Sequence, residues 1–440
     1  MKQPPSLDYD ALLRVGYEEY RRFVNPIIAE RARLAGEPLR VERVADGSPI
    51  LSDGRRIEDM HGIQAFGQRN PEVNEALLEY LHSDRPSWFP SRVNPYAGRL
   101  AAILAARTGY DNAFFPCTGT GAVEAALKLS RALTRRPRIL SIQGAYHGCT
   151  FGSCALMSPG IFRDAFGPHL PGVSALPFDD PAALEEALAS GDVAALVLEP
   201  IQGEGGVRPL SEAFIEAACT LSEAHGTLLI ADEIQTGLGR TGRGLLHSAS
   251  WSRRPDIVLL GKALGGGLVP ISAMLTRAAL FERAYGRDFA VAESHNTSFA
   301  GNALGCIAAL RTLELVDEDL LAGNRRKGEQ LRRALEARLS TNPLFDHVRG
   351  EGMMLGLVLE PIDHPWLSFE HFGYPSLEGR SLVAPLLCRR LYARGFFTFP
   401  CGHDWGVVRI QPRYGIEEEA LERFVDACAE ELEQLAEDTR

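Results

Sequence analysis

Thr227-Leu-Leu-Ile-Ala231-Asp232-Glu-Ile-Gln235-Thr-Gly-Leu-Gly-Arg-Thr-Gly242 is the stretch that decides the fold. A short, mostly apolar run stops at two carboxylates and continues into glycine-rich chain. That pattern predicts a buried strand whose end is delivered to a loop. Four more runs share it: Ala113–Phe115, Ile139–Ile142, Ala195–Leu198 and Ile257–Leu260. The segments between them, including 121–134, 181–190 and 211–225, have amphipathic helical spacing. Strands alternating with helices of this length form βαβ units on a mainly parallel sheet, so the fold class is α/β.

Ligands of open parallel sheets bind beyond the C-terminal ends of the strands. Four strand ends therefore have to be read together. Ala195–Leu198 runs into Glu199-Pro-Ile-Gln-Gly-Glu204-Gly-Gly206, and Thr227–Ala231 runs into Asp232. Ile257–Leu260 runs into Gly261-Lys262, and Ile139–Ile142 into Gln143-Gly-Ala-Tyr146-His-Gly148. Taken singly, an Asp after a strand is most often a cap and a Lys there is usually solvated. The combination has a chemistry that needs it. A desolvated lysine amine captures carbonyls. A buried aspartate requires a cation, which a protonated pyridine nitrogen supplies, and a flat aromatic packs on that ring. These are the fittings of a pyridoxal phosphate site. Thr118-Gly119-Thr120-Gly121, between a strand and a helix, adds backbone N–H groups and a helix N-terminus for the phosphate. It is not a GxxxxGK[ST] loop.

The remainder of the 440 residues bounds the function. Hydrophobic residues make up 45% and charged residues 23%, the mix of a globular chain, and no repeat or low-complexity tract interrupts it. A net charge of −11 argues against nucleic acid or an anionic membrane as the main partner. The first ten residues carry no apolar signal region, and no run of about 20 apolar residues spans a bilayer. The segment Ala263–Met274 contains Gly265, Gly266, Gly267 and Pro270 and reads as a glycine-rich loop. Eight scattered cysteines without CxxC or clustered histidines suit a reduced cytoplasmic enzyme with no metal site. Pro49–Gly54 reads as a hairpin-like turn, and Leu421, Phe424, Val425, Cys428, Leu432 and Leu435 predict a closing amphipathic helix. The expected organisation is a large domain over 76–315 and a small α+β domain built from both chain ends, 1–75 and 316–440.

With these motifs in place, the sequence resembles the class III pyridoxal-phosphate aminotransferases of fold type I, the ornithine, acetylornithine and diaminobutyrate group. The resemblance rests on Leu198–Gly206, Ala231–Gly242 and Gly261-Lys-Ala-Leu-Gly-Gly-Gly-Leu-Val-Pro-Ile-Ser272 and extends over nearly the whole chain. It implies that Lys262 forms the Schiff base and later carries the proton, and that Asp232 keeps the pyridine nitrogen protonated. Ile234 and Tyr146 would sandwich the ring, Gln235 would reach its phenolic oxygen, and Gly119 and Thr120 would bind the phosphate. Thr297, in Ser294-His-Asn-Thr-Ser-Phe-Ala-Gly-Asn302, matches the threonine that reaches the phosphate of a neighbouring subunit, which implies a homodimer with shared sites. Arg409, in Val407-Val-Arg-Ile-Gln-Pro412, matches the arginine that binds a substrate carboxylate, and Glu204 matches the glutamate that pairs with it and gates it.

Departures from the family pattern bear on the substrate. The arginine expected after the aromatic-x-Gly motif is Cys149 here, so a second carboxylate anchor is missing from that position. Thr118–Ala126 is closer to the diaminobutyrate-type loop, and Gly67-Gln-Arg-Asn-Pro71 replaces GH-x-HP. Residues 361–381, with Trp366, Phe369, His371, Phe372 and Tyr374, are long and aromatic and read equally as a substrate lid or a packing loop. The expected activity is nitrogen transfer between a small (di)amino acid or ω-amine and a keto acid, with glutamate and 2-oxoglutarate as one pair. An epimerase or aminomutase on the same scaffold is the alternative. A non-catalytic binding protein is disfavoured by retention of both Lys262 and Asp232.

Overall fold

The computed structural model describes residues 8–34, 41–89, 93–362, 364, 367–371, 377 and 379–439. Its main sheet has seven strands: β1 (Asn112–Phe114), β2 (Arg138–Ile142), β3 (Val173–Leu176), β4 (Val193–Leu198), β5 (Leu228–Asp232), β6 (Ile257–Leu260) and β7 (Ala273–Thr276). Their spatial order is β1-β7-β6-β5-β4-β2-β3. β7 is antiparallel to both neighbours, and every other pairing is parallel.

The five runs read as strands all lie in this sheet, with ends displaced by at most two residues. β3 and β7 were not anticipated. The glycine-rich loop expected over Ala263–Met274 ends at Ser272, because Ala273 and Met274 pair with Leu260 and Leu259. Leu268, Val269 and Ile271 already give the loop an apolar run that leads into the strand, so hydrophobicity marks no boundary there. β4, β5 and β6 are buried at every residue, and helices cover both faces. On one face Ala122, Ala125, Ala126 and Leu129 of the helix Gly119–Thr134 pack on Val197, Ile230 and Leu259. On the other, Leu184 and Leu188 of Pro181–Ala189 and Phe214 and Ala218 of Glu212–Ala224 cover Leu140, Leu196, Leu198 and Leu229. Ser211 starts the latter helix by accepting the Phe214 N–H at 3.1 Å.

A second, antiparallel sheet joins Phe345–Glu351, Met354–Leu359, Val407–Ile410 and Phe399–Pro400, in that order. Its core includes the predicted stripe Leu421, Phe424, Val425, Cys428, Leu432 and Leu435 of the helix Glu418–Asp438. The N-terminal part of the chain enters here too. Glu58–Asp59 pairs in parallel with Phe396–Phe397, and Met60 is buried in the same core. In the anticipated hairpin region, Val41–Ala45 and Ser48–Leu51 turn at Asp46-Gly47, both with positive φ, and a second turn closes from Gly54 to Leu51. Trp366, Phe372 and Tyr374 lie outside the described residues, while Phe369 packs edge-on against Trp405. Among the described residues no helix is long and apolar enough to cross a membrane.

Arg240 stitches these parts together. Its buried guanidinium donates to the carbonyls of Met353, Pro412 and Gly62 and lies over the Tyr414 ring. The helix Glu318–Leu339 meets the second sheet at Gly328, where a Cβ would sit 2.0 Å from the Gly352 carbonyl oxygen. Helix propensity favours Ala over Gly by about 1 kcal/mol. Overpacking against backbone costs about 1–3 kcal/mol or more and wins here. Gly328→Ala is therefore expected to lower stability by about 1–2 kcal/mol in urea unfolding; a variant more stable than wild type would contradict this packing.

Candidate active site

Parallel pairing sets the height at which each side chain leaves the sheet. Asp232 closes β5 opposite Leu259, and Leu198 of β4 is opposite Ala231, so Glu199 and Asp232 leave the sheet at one level. Lys262 follows β6 by two residues and starts a short 3₁₀ turn. Its φ of 40° is a left-handed backbone, costly for a residue with a Cβ by about 1–3 kcal/mol. The Lys262 amine makes no hydrogen bond or ion pair among the described residues. Burial lowers its pKa and nearby Arg409 adds to this, while Glu204, Glu199 and Asp232 oppose it.

Asp232 is held from two sides. Its Oδ2 lies 2.7 Å from Nδ1 of buried His147, and its Oδ1 accepts the Ile234 N–H at 3.1 Å. Burial alone would lower the His147 pKa, but the hydrogen bond and charge of Asp232 outweigh it, so the imidazole is held toward its charged form. Glu199 accepts the N–H groups of Tyr146 and Gly203, and burial lifts its pKa to about 7.

The phosphate-type loop is built as the sequence suggests. Thr118 caps the helix Gly119–Thr134 by accepting the Gly121 N–H, and Ser272 fixes the loop from β7's leading edge by donating to the Thr118 carbonyl at 2.6 Å. Gly119 is needed for close approach, since a Cβ would fall 2.8 Å from Cδ1 of Ile234. The same Ile234 side chain packs on Gly261, next to Lys262. Thr120 packs against Gly148, where a Cβ would lie 2.5 Å from its own, and bonds Thr150 and Ser153. Gln235 passes over Gly203, and its Oε1 is buried without a partner.

Glu204 and Arg409 form a buried ion pair, and the second Glu204 oxygen accepts the Gly402 N–H at 2.9 Å. Burial alone would raise the Glu204 pKa, but the Arg409 guanidinium holds it below the usual carboxylate value. The charges of both act on Tyr146. Lys262, Asp232, Gly119, Thr120, Tyr146, Ile234, Gln235, Glu204 and Arg409 thus gather in one neighbourhood. Thr297 does not join them: it is exposed, and its segment is tied by Gly301 and Phe299 to Phe115 and Cys117, just ahead of the loop.

The sequence reading missed His147, although it lies inside the quoted Tyr146-His-Gly148 motif. It also missed His61, which no motif marks. The His61 ring lies 5.6 Å from those of both Phe397 and Phe399. Burial, reinforced by Arg409, pushes its pKa down to about 3.

Comparison with known proteins shows the family. The chain belongs to the class III aminotransferases: the family model, Aminotransferase class-III, matches residues 35–432. It is 32% identical to a putrescine aminotransferase of Pectobacterium atrosepticum, over 94% of this chain and 88% of that protein. It is 29% identical to Aminotransferase PigE of Serratia sp. over 95% of its own length, and spans about half of that protein, 53%. The ornithine aminotransferase of Toxoplasma gondii, a structure described with partial occupancy of PLP at its active site, superposes with a TM-score of 0.83 at 27% identity. That match covers 99% of each chain. The fold is that of fold-type I pyridoxal-phosphate enzymes, and the protein is a pyridoxal-phosphate-dependent transaminase. Its residues fit the cofactor: a Lys262 amine with no partner among the described residues and a pKa lowered by burial, an unpaired buried Gln235 Oε1 and a loop where glycine alone leaves room.

The neutral state of His61 has a pH consequence. An unfolded histidine takes up a proton below about pH 6.5, whereas folded His61 resists it down to about 3. Stability is therefore lost as pH falls through that window. Glu199 has the opposite sign, because it is protonated in the fold up to about 7. His61→Phe is expected to lose less stability than wild type between pH 7 and 4.5 in urea unfolding; equal losses would disprove the assignment.

Proposed function

We propose that the enzyme moves an amino group between an ω-amine or small diamino acid and a keto acid, with glutamate and 2-oxoglutarate as one pair. The observation that carries this is the closed Glu204–Arg409 pair beside Lys262. While Glu204 neutralises Arg409, that guanidinium is not free for an α-carboxylate, and the pocket admits an amine-ended donor. When Glu204 turns aside, the planar guanidinium takes the carboxylate of the keto acid in a bidentate grip.

Bound pyridoxal phosphate would supply a carbonyl carbon that captures amines and a ring that withdraws electrons. Lys262 would attach it and, once displaced by the donor, would carry the proton from substrate carbon to cofactor carbon. The lowered pKa of its amine suits both duties. Asp232 would face the ring nitrogen, with His147 fixing the carboxylate's orientation from behind. Ile234 and Tyr146 would hold the two faces of the ring, Gln235 its phenolic oxygen, and Gly119 and Thr120 the phosphate. Exposed Thr297 would complete the phosphate site of a second copy, making a homodimer with shared sites the working form. The acidic balance and free cysteines support the cytoplasm as its place.

A donor panel with 2-oxoglutarate, read as glutamate formed, tests the reading. Diamines, diamino acids and other ω-amines are expected to be donors; a panel in which only α-amino acids react would defeat the ω-specific assignment. Arg409→Ala is expected to lower kcat/KM for glutamate and 2-oxoglutarate by roughly 10–100-fold, the loss of a charged hydrogen-bonded anchor. Unchanged values would remove Arg409 from the site. Lys262→Ala is expected to lower turnover by at least about a thousandfold, within the range of general acid–base catalysis. The cofactor-free variant should nonetheless be no less stable than cofactor-free wild type, because a strained, desolvated lysine has been removed.

A further inference from the structure

A continuous wall of rings leads away from Tyr146. Its ring meets Phe162 edge-on at 5.5 Å, and Phe162 meets His403 at 5.2 Å. Gly402 lies in the same place: a Cβ there would sit 2.6 Å from the Phe162 ring and 2.9 Å from Oε2 of Glu204. The Trp405 indole N–H donates to the Gly402 carbonyl at 3.1 Å, and the Arg380 guanidinium lies over the Trp405 ring at 5.5 Å. Arg380 is thus reached from the Glu204–Arg409 pair through Gly402 and Trp405, by contacts alone.

Two features of this place call for an anion. Arg380 is half-buried and has no acidic partner among the described residues; its guanidinium lies over the Trp405 ring and near Gly160, and its charge acts on His403. His403 is in addition left with a buried Nε2 that has no hydrogen-bond partner. Burial lowers the His403 pKa, and the positive charges of Arg380 and Arg208 lower it further against the pull of Glu204. A locally cationic wall with an unpaired ring nitrogen suits a carboxylate. The position after Tyr146-His-Gly148, where an arginine was expected, holds Cys149.

We infer that Arg380 is a specificity residue, the anchor for the distal carboxylate of the dicarboxylic substrate. This rests on the proposed function, in which Arg409 takes the carboxylate next to the reacting carbon. The Trp405 ring lies under the guanidinium and holds it in place, and His403 donates to the carboxylate from the side through Nε2–H. The amine-ended donor lacks the second carboxylate and leaves Arg380 unused. The same pocket thereby accepts both partners of one exchange without the arginine at position 149.

The test compares 2-oxoglutarate with pyruvate, which shares the keto-acid end and lacks the distal carboxylate. Holoenzyme carrying wild-type Arg380, Arg380→Ala or Arg380→Lys is assayed with one fixed donor. The ratio of kcat/KM for 2-oxoglutarate over pyruvate is expected to fall at least about tenfold in Arg380→Ala, through KM, as for a lost charged hydrogen bond. Arg380→Lys should recover part of it. A smaller fall, or a wild type with no preference for 2-oxoglutarate, overturns the inference. Calorimetric binding of glutarate to the same holoenzymes is a second readout, expected to weaken by a similar factor in Arg380→Ala. If no nitrogen reaches either acceptor while glutarate binding still depends on Arg380, the proposed function fails and the anchor stands. Glutarate binding indifferent to Arg380 overturns the anchor whatever the turnover.

Discussion

Asp232 sits in a place from which water is excluded, and a carboxylate there has to be matched on every lone pair or it is too costly to keep charged. The fold meets that demand with the Ile234 N–H on one oxygen and buried His147 on the other. Neither arrangement is local. His147 arrives from the loop after β2, two strands away from β5 in the sheet, and reaches Asp232 only because β2, β4 and β5 run parallel and in register. The same register brings Glu199 to the level of Asp232 and lets β6 carry Lys262 beyond it. A one-residue slip in β5 would turn Asp232 to the opposite face and separate it from His147.

Lys262 adds a second constraint. A left-handed, half-buried lysine with no partner among the described residues is a poor choice for stability alone, and it persists because the surroundings over-determine it. Leu264 on the following turn is fully buried, Gly261 lies against Ile234, and β7 returns at once to pair with β6. The strain and the free amine are supported by packing on three sides, which is the condition for a nucleophile held ready. The Glu204–Arg409 pair works differently. Glu204 comes from the loop after β4, and Arg409 from the middle of the second sheet. Because the two partners belong to separate sheets, any shift between the sheets changes this pair first. A gate for alternate substrates is well placed there.

Much of this was readable from residue order. Buried parallel strands announce themselves as short apolar runs, and β4, β5 and β6 were found because nothing polar dilutes them. β3 was hidden because Val173-Ser-Ala-Leu176 lies at the sheet edge and is only partly buried. β7 was hidden because its apolar run continues out of a loop. The site residues at strand ends were legible as motifs, since each motif combines a strand, a loss of hydrophobicity and a reactive group. His147 was passed over because a histidine between Tyr and Gly carries no spacing signal of its own. His61 and Arg380 were invisible for a deeper reason: their neighbours, Phe399 and Trp405, are hundreds or tens of residues distant along the chain, and only the second sheet brings them close.

The net charge of −11 describes the surface, and it would mislead about the pocket. Lys262 follows β6, Arg409 lies in the second sheet, and Arg380, in the segment preceding the helix Val383–Ala393, is reached from Glu204 through Gly402 and Trp405. Asp232 is already engaged by the His147 ring and Glu204 by the Arg409 guanidinium. Arg380 is left without an acidic partner among the described residues, and in a partly buried setting its charge acts further than it would in water. Under the proposed function, anionic substrates would be drawn by such a local charge in spite of the overall sign. With one arginine paired to Glu204 and another seated on Trp405, the proposed reading has substrates sorted by where their carboxylates lie and not by how much charge they carry.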